Sequence, residues 1–120
     1  MKESILKNKS YDFALLIVNT YKIMASKKRE FTLSRQLLKS GTYIGANIRE
    51  SEFVQSEKDF TSKMSIALKE ANETEYWLSL LKDTNYIEIN SFTKLINYNK
   101  ELIKMLVATI NTMKSKINNY

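Results

Sequence analysis

At 120 residues and 14.0 kDa the chain is expected to be one domain with room for a modest core. It contains no Pro, Cys or His and only two Gly. That excludes thiol and imidazole catalysis, disulfides and the usual zinc sites, and leaves few interruptions to helix.

The net charge is +6, unevenly spread. Residues 1–49 hold 10 Lys/Arg against 3 Asp/Glu, residues 50–88 hold 4 against 9, and residues 89–120 hold 5 against 1. An acidic middle between basic ends can serve contacts between helices or subunits, and the surplus can meet a polyanion. A plainly solvated basic surface is the alternative. The opening Met1–Ser10 is polar and lacks a cleavage pattern, so no signal peptide is expected. The longest apolar run, Phe13–Val18, is broken by Asn19 and falls far short of the roughly 20 residues that span a bilayer. A soluble cytoplasmic protein with no membrane contact and no cofactor is the expectation.

The first helix is predicted from about Ser10 to Ser26. Tyr11, Ala14, Val18, Tyr21 and Ala25 form one stripe, taken as the core side, and Phe13, Leu16, Ile17, Thr20 and Met24 form a second. A helix apolar nearly all round must be covered nearly all round, which in a small protein favours oligomerisation. Lys27-Lys-Arg-Glu30 is a charged connector, and Thr32 or Ser34 is a candidate cap for a second helix over about Leu33–Phe53. That helix carries a core stripe of Leu33, Leu37, Ser40, Gly41, Ile44, Asn47, Ile48 and Ser51. Ser40, Gly41, Gly45 and Ala46 are small enough to let another helix approach closely. Each mid-helix glycine costs about 1 kcal/mol against alanine, so two of them call for a packing reason. A phosphate loop is not supported, because no Lys-Ser/Thr follows Gly45 and no strand precedes Gly41.

A third helix, organised on Asp59–Leu81, begins with Ser56 as cap and Asp59 as an imperfect capping-box partner and ends near Lys82–Asn85. Phe60, Met64, Ala67, Leu68, Ala71, Leu78 and Leu81 make its core stripe. Ile66, Glu70, Glu73, Trp77 and Leu80 make a second stripe about 100° round the axis. Asn85–Asn90 connects, packing two apolar side chains. Ser91 then caps a fourth helix running to about Ile117, whose stripe is Phe92, Leu95, Ile96, Leu102, Ile103, Leu106, Ile110, Met113 and Ile117. Asn99 is its one polar interruption. Helices of roughly 20 residues are about 30 Å long and, with short connectors, pack antiparallel. The expected fold is an all-α, up-down-up-down four-helix bundle, residues 1–120 forming one domain that assembles as a homo-oligomeric ring.

Asn47, Glu50, Glu70, Glu73 and Trp77 are read as an interface or buried polar network, since a buried amide or carboxylate must find partners. Tyr76, Arg49 and Lys63 are further candidates for it. A network that fixes helix register is the plainer reading, and a catalytic or metal site the alternative. Carboxylate-bridged di-iron bundles use Glu-x-x-His pairs, which a chain without His cannot supply. No catalytic residue and no metal ligand is assigned.

The run Phe31–Glu50, FTLSRQLLKSGTYIGANIRE, resembles the Gln-Leu…Ser-Ile…Ala-Asn-Ile-x-Glu segment of the bacterial four-helix-bundle proteins named after 23S rRNA intervening sequences. Ile66–Leu78, IALKEANETEYWL, is similar to that family's third-helix signature, with Glu70 and Glu73 at its acidic positions. The similarity covers about residues 10–115. Ser51 stands where the commoner form has Gly after the Asn-Ile-x-Glu, which bears on whether the helix bends there. The resemblance implies a homo-oligomeric ring, a pentamer. It also implies kinship with the accessory proteins of diversity-generating retroelements, basic pentameric barrels that bind nucleic acid and a reverse transcriptase. It supplies no catalytic residue.

Three functions follow as expectations. The first is a non-enzymatic oligomer that binds nucleic acid, structured RNA foremost, through phosphate. Its contacts are Lys22, Lys27, Lys28, Arg29, Arg35, Lys39 and Arg49 in the N-terminal half and Lys100, Lys104, Lys114 and Lys116 on the fourth helix, repeated by symmetry. The second is an interaction scaffold or accessory subunit, for a reverse transcriptase for example, without nucleic-acid affinity of its own. The third, an enzyme, needs a Glu- or Tyr-based site around Asn47, Glu50, Glu70 and Glu73.

Overall fold

The computed structural model describes the backbone of residues 2–118 and the side chains of residues 5–118. It has four helices, α1 (Lys2–Ser26), α2 (Thr32–Ser51), α3 (Glu57–Asp83) and α4 (Ile89–Asn118), and no strand among the described residues. Cross-helix pairs give the directions. Gly41 faces Ile17 and Gly45 faces Ser10. Ser40 meets Thr74 while Glu50 meets Lys63. Asn99 meets Ala71 while Lys116 meets Glu57, and Phe13 meets Tyr98 while Lys9 meets Glu101. In every set, numbers rise on one helix as they fall on the next, so all four seams are antiparallel. The α1–α4 seam is the most lightly packed.

Periodicity places the core as expected on three helices. Leu37, Ile44 and Ile48 of α2 are buried, as are Met64, Ala67, Ala71, Leu78 and Leu81 of α3 and Leu95, Ile96, Leu102, Leu106 and Ile110 of α4. On α1 the phase is reversed. Phe13, Ile17 and Met24, joined by Leu6 and Ser10, are buried, whereas Tyr11 is 60% exposed and Ala14, Val18, Tyr21 and Ala25 are only half-buried. With apolar residues on nearly every face, α1 has no polar side strong enough to fix its rotation, so its neighbours decide it. The helix also starts before Ser10. That hydroxyl donates to the Lys7 carbonyl inside the helix, and Leu6 ahead of it enters the core. Met1, which opens the polar segment, lies outside the described residues.

The small residues of α2 have the anticipated use. A Cβ on Gly41 would stand 2.8 and 2.9 Å from the two γ carbons of Ile17, so α1 crosses where only hydrogen fits. At Gly45 it would lie 3.4 Å from the Ser10 carbonyl and hydroxyl oxygens, an ordinary contact.

The start of α2 differs from expectation. Neither Thr32 nor Ser34 caps it; the Glu30 carboxylate does. One oxygen accepts from the Thr32 and Leu33 amides at 3.1 and 3.0 Å, the other from the Ser34 amide at 2.7 Å. The Ser34 hydroxyl returns a bond to the Glu30 carbonyl at 2.7 Å. Burial alone would raise the pKa of this carboxyl, but the three amides outweigh it and hold the pKa below the ordinary value. Arg29, just ahead, is left-handed at φ 56°, and the Glu30 amide turns back onto the Met24 carbonyl.

Ser56 caps α3 as expected, accepting from the Asp59 amide at 3.1 Å. That helix ends in a left-handed Asn85, with the Tyr86 amide bonded to the Leu81 carbonyl and the Asn85 amide to that of Lys82, a Schellman termination. In the connector only Ile87 of the two isoleucines is buried; Ile89 is 62% exposed and already begins α4. Ser91 is therefore inside the helix and caps nothing.

Candidate functional site

Two surfaces collect the residues singled out by sequence. The first is the α2–α3 seam. Glu50 is exposed and pairs with Lys63 at 3.0 Å. Lys39 of α2 acts electrostatically on the half-buried Glu70, and Gln36 shares a shallow groove with Glu73, Tyr76 and Trp77. Burial, then the neighbouring Glu73 charge, raises the Glu70 pKa. Trp77 is half-buried, its ring 5.0 Å from that of Tyr76 and edge-on to it. Ile66 and Tyr76 are exposed, at 42% and 58%.

This seam is not a buried network within one chain. Asn47, expected in the apolar stripe, is rotated out of it, and its amide donates to the Tyr43 carbonyl of its own helix. Glu50 and Glu73 face solvent. The buried polar contacts lie elsewhere. Thr74 reaches the Ser40 hydroxyl at 3.0 Å, and the wholly buried Asn99 donates to the Ala71 carbonyl at 2.9 Å with its own oxygen unpartnered. Ser40 and Asn99 were visible in the sequence as polar members of apolar stripes; Thr74 was missed, though it falls between Ala71 and Leu78 at core spacing. Among the described residues no three His, Cys, Asp or Glu stand together as a metal would need.

The second surface is basic. Lys22, Lys27, Lys28 and Arg29 gather at the α1–α2 connector, all exposed. Arg35 and Lys39 follow along the outer side of α2, and Arg49 lies near its far end, beside a groove of about 640 Å³ between α1 and α2. Lys100 and Lys104 sit midway along α4, and Lys114 and Lys116 near its C-terminus, also exposed. Because the molecule is 53 Å long, the connector group and the Lys114/Lys116 group occupy opposite ends. They cannot form one patch on a single chain.

Ion pairing separates these cations further. Glu52 engages Lys7, Glu101 engages Lys9, Glu50 engages Lys63, Asp83 engages Lys82 and Glu57 engages Lys116. Among the described residues no carboxylate lies within ion-pair reach of Lys22, Lys27, Lys28, Arg29, Arg35, Lys39, Arg49, Lys100, Lys104 or Lys114. Most of the residues read as phosphate contacts thus keep their charge toward solvent. Among the described residues no helix is long and apolar enough to cross a membrane.

Comparison with known proteins adds the family. The model of the 23S rRNA-intervening sequence protein family matches residues 2–108. The chain belongs to that family. A solved structure, a protein of unknown function from the S23 ribosomal protein family of Bacteroides thetaiotaomicron, is 50% identical over 92% of this chain and 99% of its own, with a TM-score of 0.91. No curated protein matches the chain. The family assignment agrees with the resemblance seen in Phe31–Glu50 and Ile66–Leu78, and the solved neighbour has the same fold.

Proposed function

We propose that this member of the family is a non-enzymatic, cytoplasmic homo-oligomer that binds nucleic acid, structured RNA foremost, through its unpaired cations. The observation that carries this reading is the solvent-facing group Lys22, Lys27, Lys28 and Arg29, none of them in an ion pair with a described carboxylate, continued along α2 by Arg35 and Lys39. Cations held for folding alone would be expected to pair, as Lys7, Lys9 and Lys63 do. Phosphate contact is the use that an unpaired group serves, and it needs no base-reading element. The exposed Ile66, Tyr76 and half-buried Trp77 of the α2–α3 seam are covered by further copies of the chain, in a ring of the pentameric size implied by the resemblance. Such a ring repeats a modest patch and multiplies its affinity.

The test is fluorescence-anisotropy binding to structured RNA, duplex DNA and single strands over a salt series. Affinity should fall steeply with salt, and replacing Lys27, Lys28 and Arg29 together by Ala should weaken binding to every probe and flatten the slope by about three counterions' worth. No binding at low salt would sink the proposal. The same seam favours the second reading, in which its apolar and acidic side chains dock a protein such as a reverse transcriptase, and co-purification would then be the next measurement.

A further inference from the structure

The basic end of the bundle is not uniformly polar. The α1–α2 and α3–α4 connectors fold to the same end, where Lys28 from one and Asn85, Tyr86, Glu88 and Ile89 from the other line an open cleft of about 470 Å³. Tyr86 is 36% exposed and Ile89 62%, and Phe31, on the first connector, is 43% exposed. At the opposite end Lys7, Lys63 and Lys116 are paired with Glu52, Glu50 and Glu57, while Arg49 and Lys114 have no described carboxylate in ion-pair reach and Phe53 is 79% exposed. What sets the connector end apart is the cleft, which brings the Tyr86 ring together with Lys28, a cation without an ion-pair partner among the described residues, although Lys82 on the same wall is paired with Asp83.

The Tyr86 ring stands on a fixed base. Its amide is bonded to the Leu81 carbonyl at 2.8 Å, the left-handed Asn85 sets the direction of the turn, and the next residue, Ile87, is buried in the core. A solvated basic surface has no use for an aromatic held this way beside Lys28. A strand with unpaired bases does: phosphates need cations spaced along the backbone, and each free base face gains by lying on an aromatic ring. A duplex offers the phosphates but keeps its base faces stacked inside.

We infer that this end of the bundle takes an unpaired nucleotide, its base stacked on Tyr86 in the cleft and its flanking phosphates on Lys27, Lys28 and Arg29. The inference rests on the nucleic-acid reading and deepens it, by assigning the contact to a loop or a free end of the RNA. Glu88, on the cleft wall, repels phosphate and so directs the backbone along the Lys28 side.

The test compares binding of the full-length chain to an unstructured RNA oligonucleotide and to the blunt duplex it forms with its complement. Tyr86→Leu should weaken single-strand binding about tenfold and leave duplex binding and helicity unchanged, while Tyr86→Phe should bind as the natural protein does. Replacing Lys27, Lys28 and Arg29 by Ala should weaken both probes alike. If the natural protein binds RNA and Tyr86→Leu keeps full single-strand affinity, or loses strand and duplex equally, the stacking site is refuted and the basic-surface reading survives. Failure of the natural protein to bind either probe overturns both.

Discussion

Gly41 and Gly45 are chemically the same residue one helical turn apart, and replacing each by Ala should move stability in opposite directions. Gly→Ala inside a helix contributes about 1 kcal/mol from backbone entropy alone. At Gly45 the new methyl meets Ser10 at 3.4 Å, an ordinary contact, so most of that gain should remain. At Gly41 it would sit 2.8 and 2.9 Å from the Ile17 γ carbons, against roughly 3.5–4.0 Å for unstrained carbons. Ile17 is fully buried, and a β-branched side chain in a helix has one strongly preferred rotamer, so it cannot swing aside. Overpacking of this kind costs about 1–3 kcal/mol, which exceeds the helix gain. The two variants should therefore differ by about 2 kcal/mol, Gly41→Ala below the natural protein and Gly45→Ala above it. Urea unfolding followed by far-UV circular dichroism, at one protein concentration, measures this directly. Ile17→Ala should also cost less in the Gly41→Ala background than alone, because the methyl then fills part of the cavity. If Gly41→Ala were as stable as Gly45→Ala, the close crossing of α1 and α2 would be refuted.

Glu30→Ala should cost about 2 kcal/mol, since three amides at the start of α2 lose a charged acceptor. The folded pKa of Glu30 lies below its unfolded value, so its contribution is present above the ordinary carboxyl pKa of 4.5 and is lost as pH falls through the folded value. Glu30→Gln should accordingly flatten the acid limb of a stability–pH profile, and an unchanged profile would exclude the cap. Asn99→Leu should be neutral or stabilising by about 1 kcal/mol, because it removes a buried oxygen without a partner at the cost of one neutral hydrogen bond; a loss of more than about 1 kcal/mol in thermal unfolding would show that the oxygen is satisfied by an internal water. Trp77→Glu should lower the mass seen by light scattering before it lowers helicity, and an unaltered mass would remove the α2–α3 seam from the assembly interface.

What the sequence made legible follows from how sharply each segment is patterned. On α2, α3 and α4 the expected core stripes, ending at Ser51, Leu81 and Ile117, hold most of the buried residues, while Leu33, Asn47, Phe60, Leu68, Phe92, Ile103, Met113 and Ile117 at their edges and ends are only half-buried. On α1 the alternation between Tyr11 and Phe13, or Val18 and Ile17, offers two equally apolar faces, and only the approach of Gly41 selects the one carrying Ile17. The Glu30 cap was hidden for a different reason. Capping is usually done by a short side chain at the N-cap itself, whereas Glu30 reaches in from one residue further out, past Phe31. A Glu four residues ahead of the buried Ser34 was the available signal. The charges were all visible, but not their neighbours. Lys28 and Tyr86 are 58 positions apart in the sequence, and only the folding of both connectors to one end makes them walls of one cleft.

The lightly packed α1–α4 seam also says something about the order in which the bundle forms. The other three seams join helices that are neighbours in sequence, so each is reached by closing a short loop, which favours rapid folding. The α1–α4 contact alone must bring together the two ends of the chain, with Phe13 meeting Tyr98 and Lys9 meeting Glu101. It carries the largest loop-closure entropy and the least packing to offset it. That seam should close last in folding and open first in native-state hydrogen exchange, with amides of α2 and α3 exchanging only when the whole bundle unfolds.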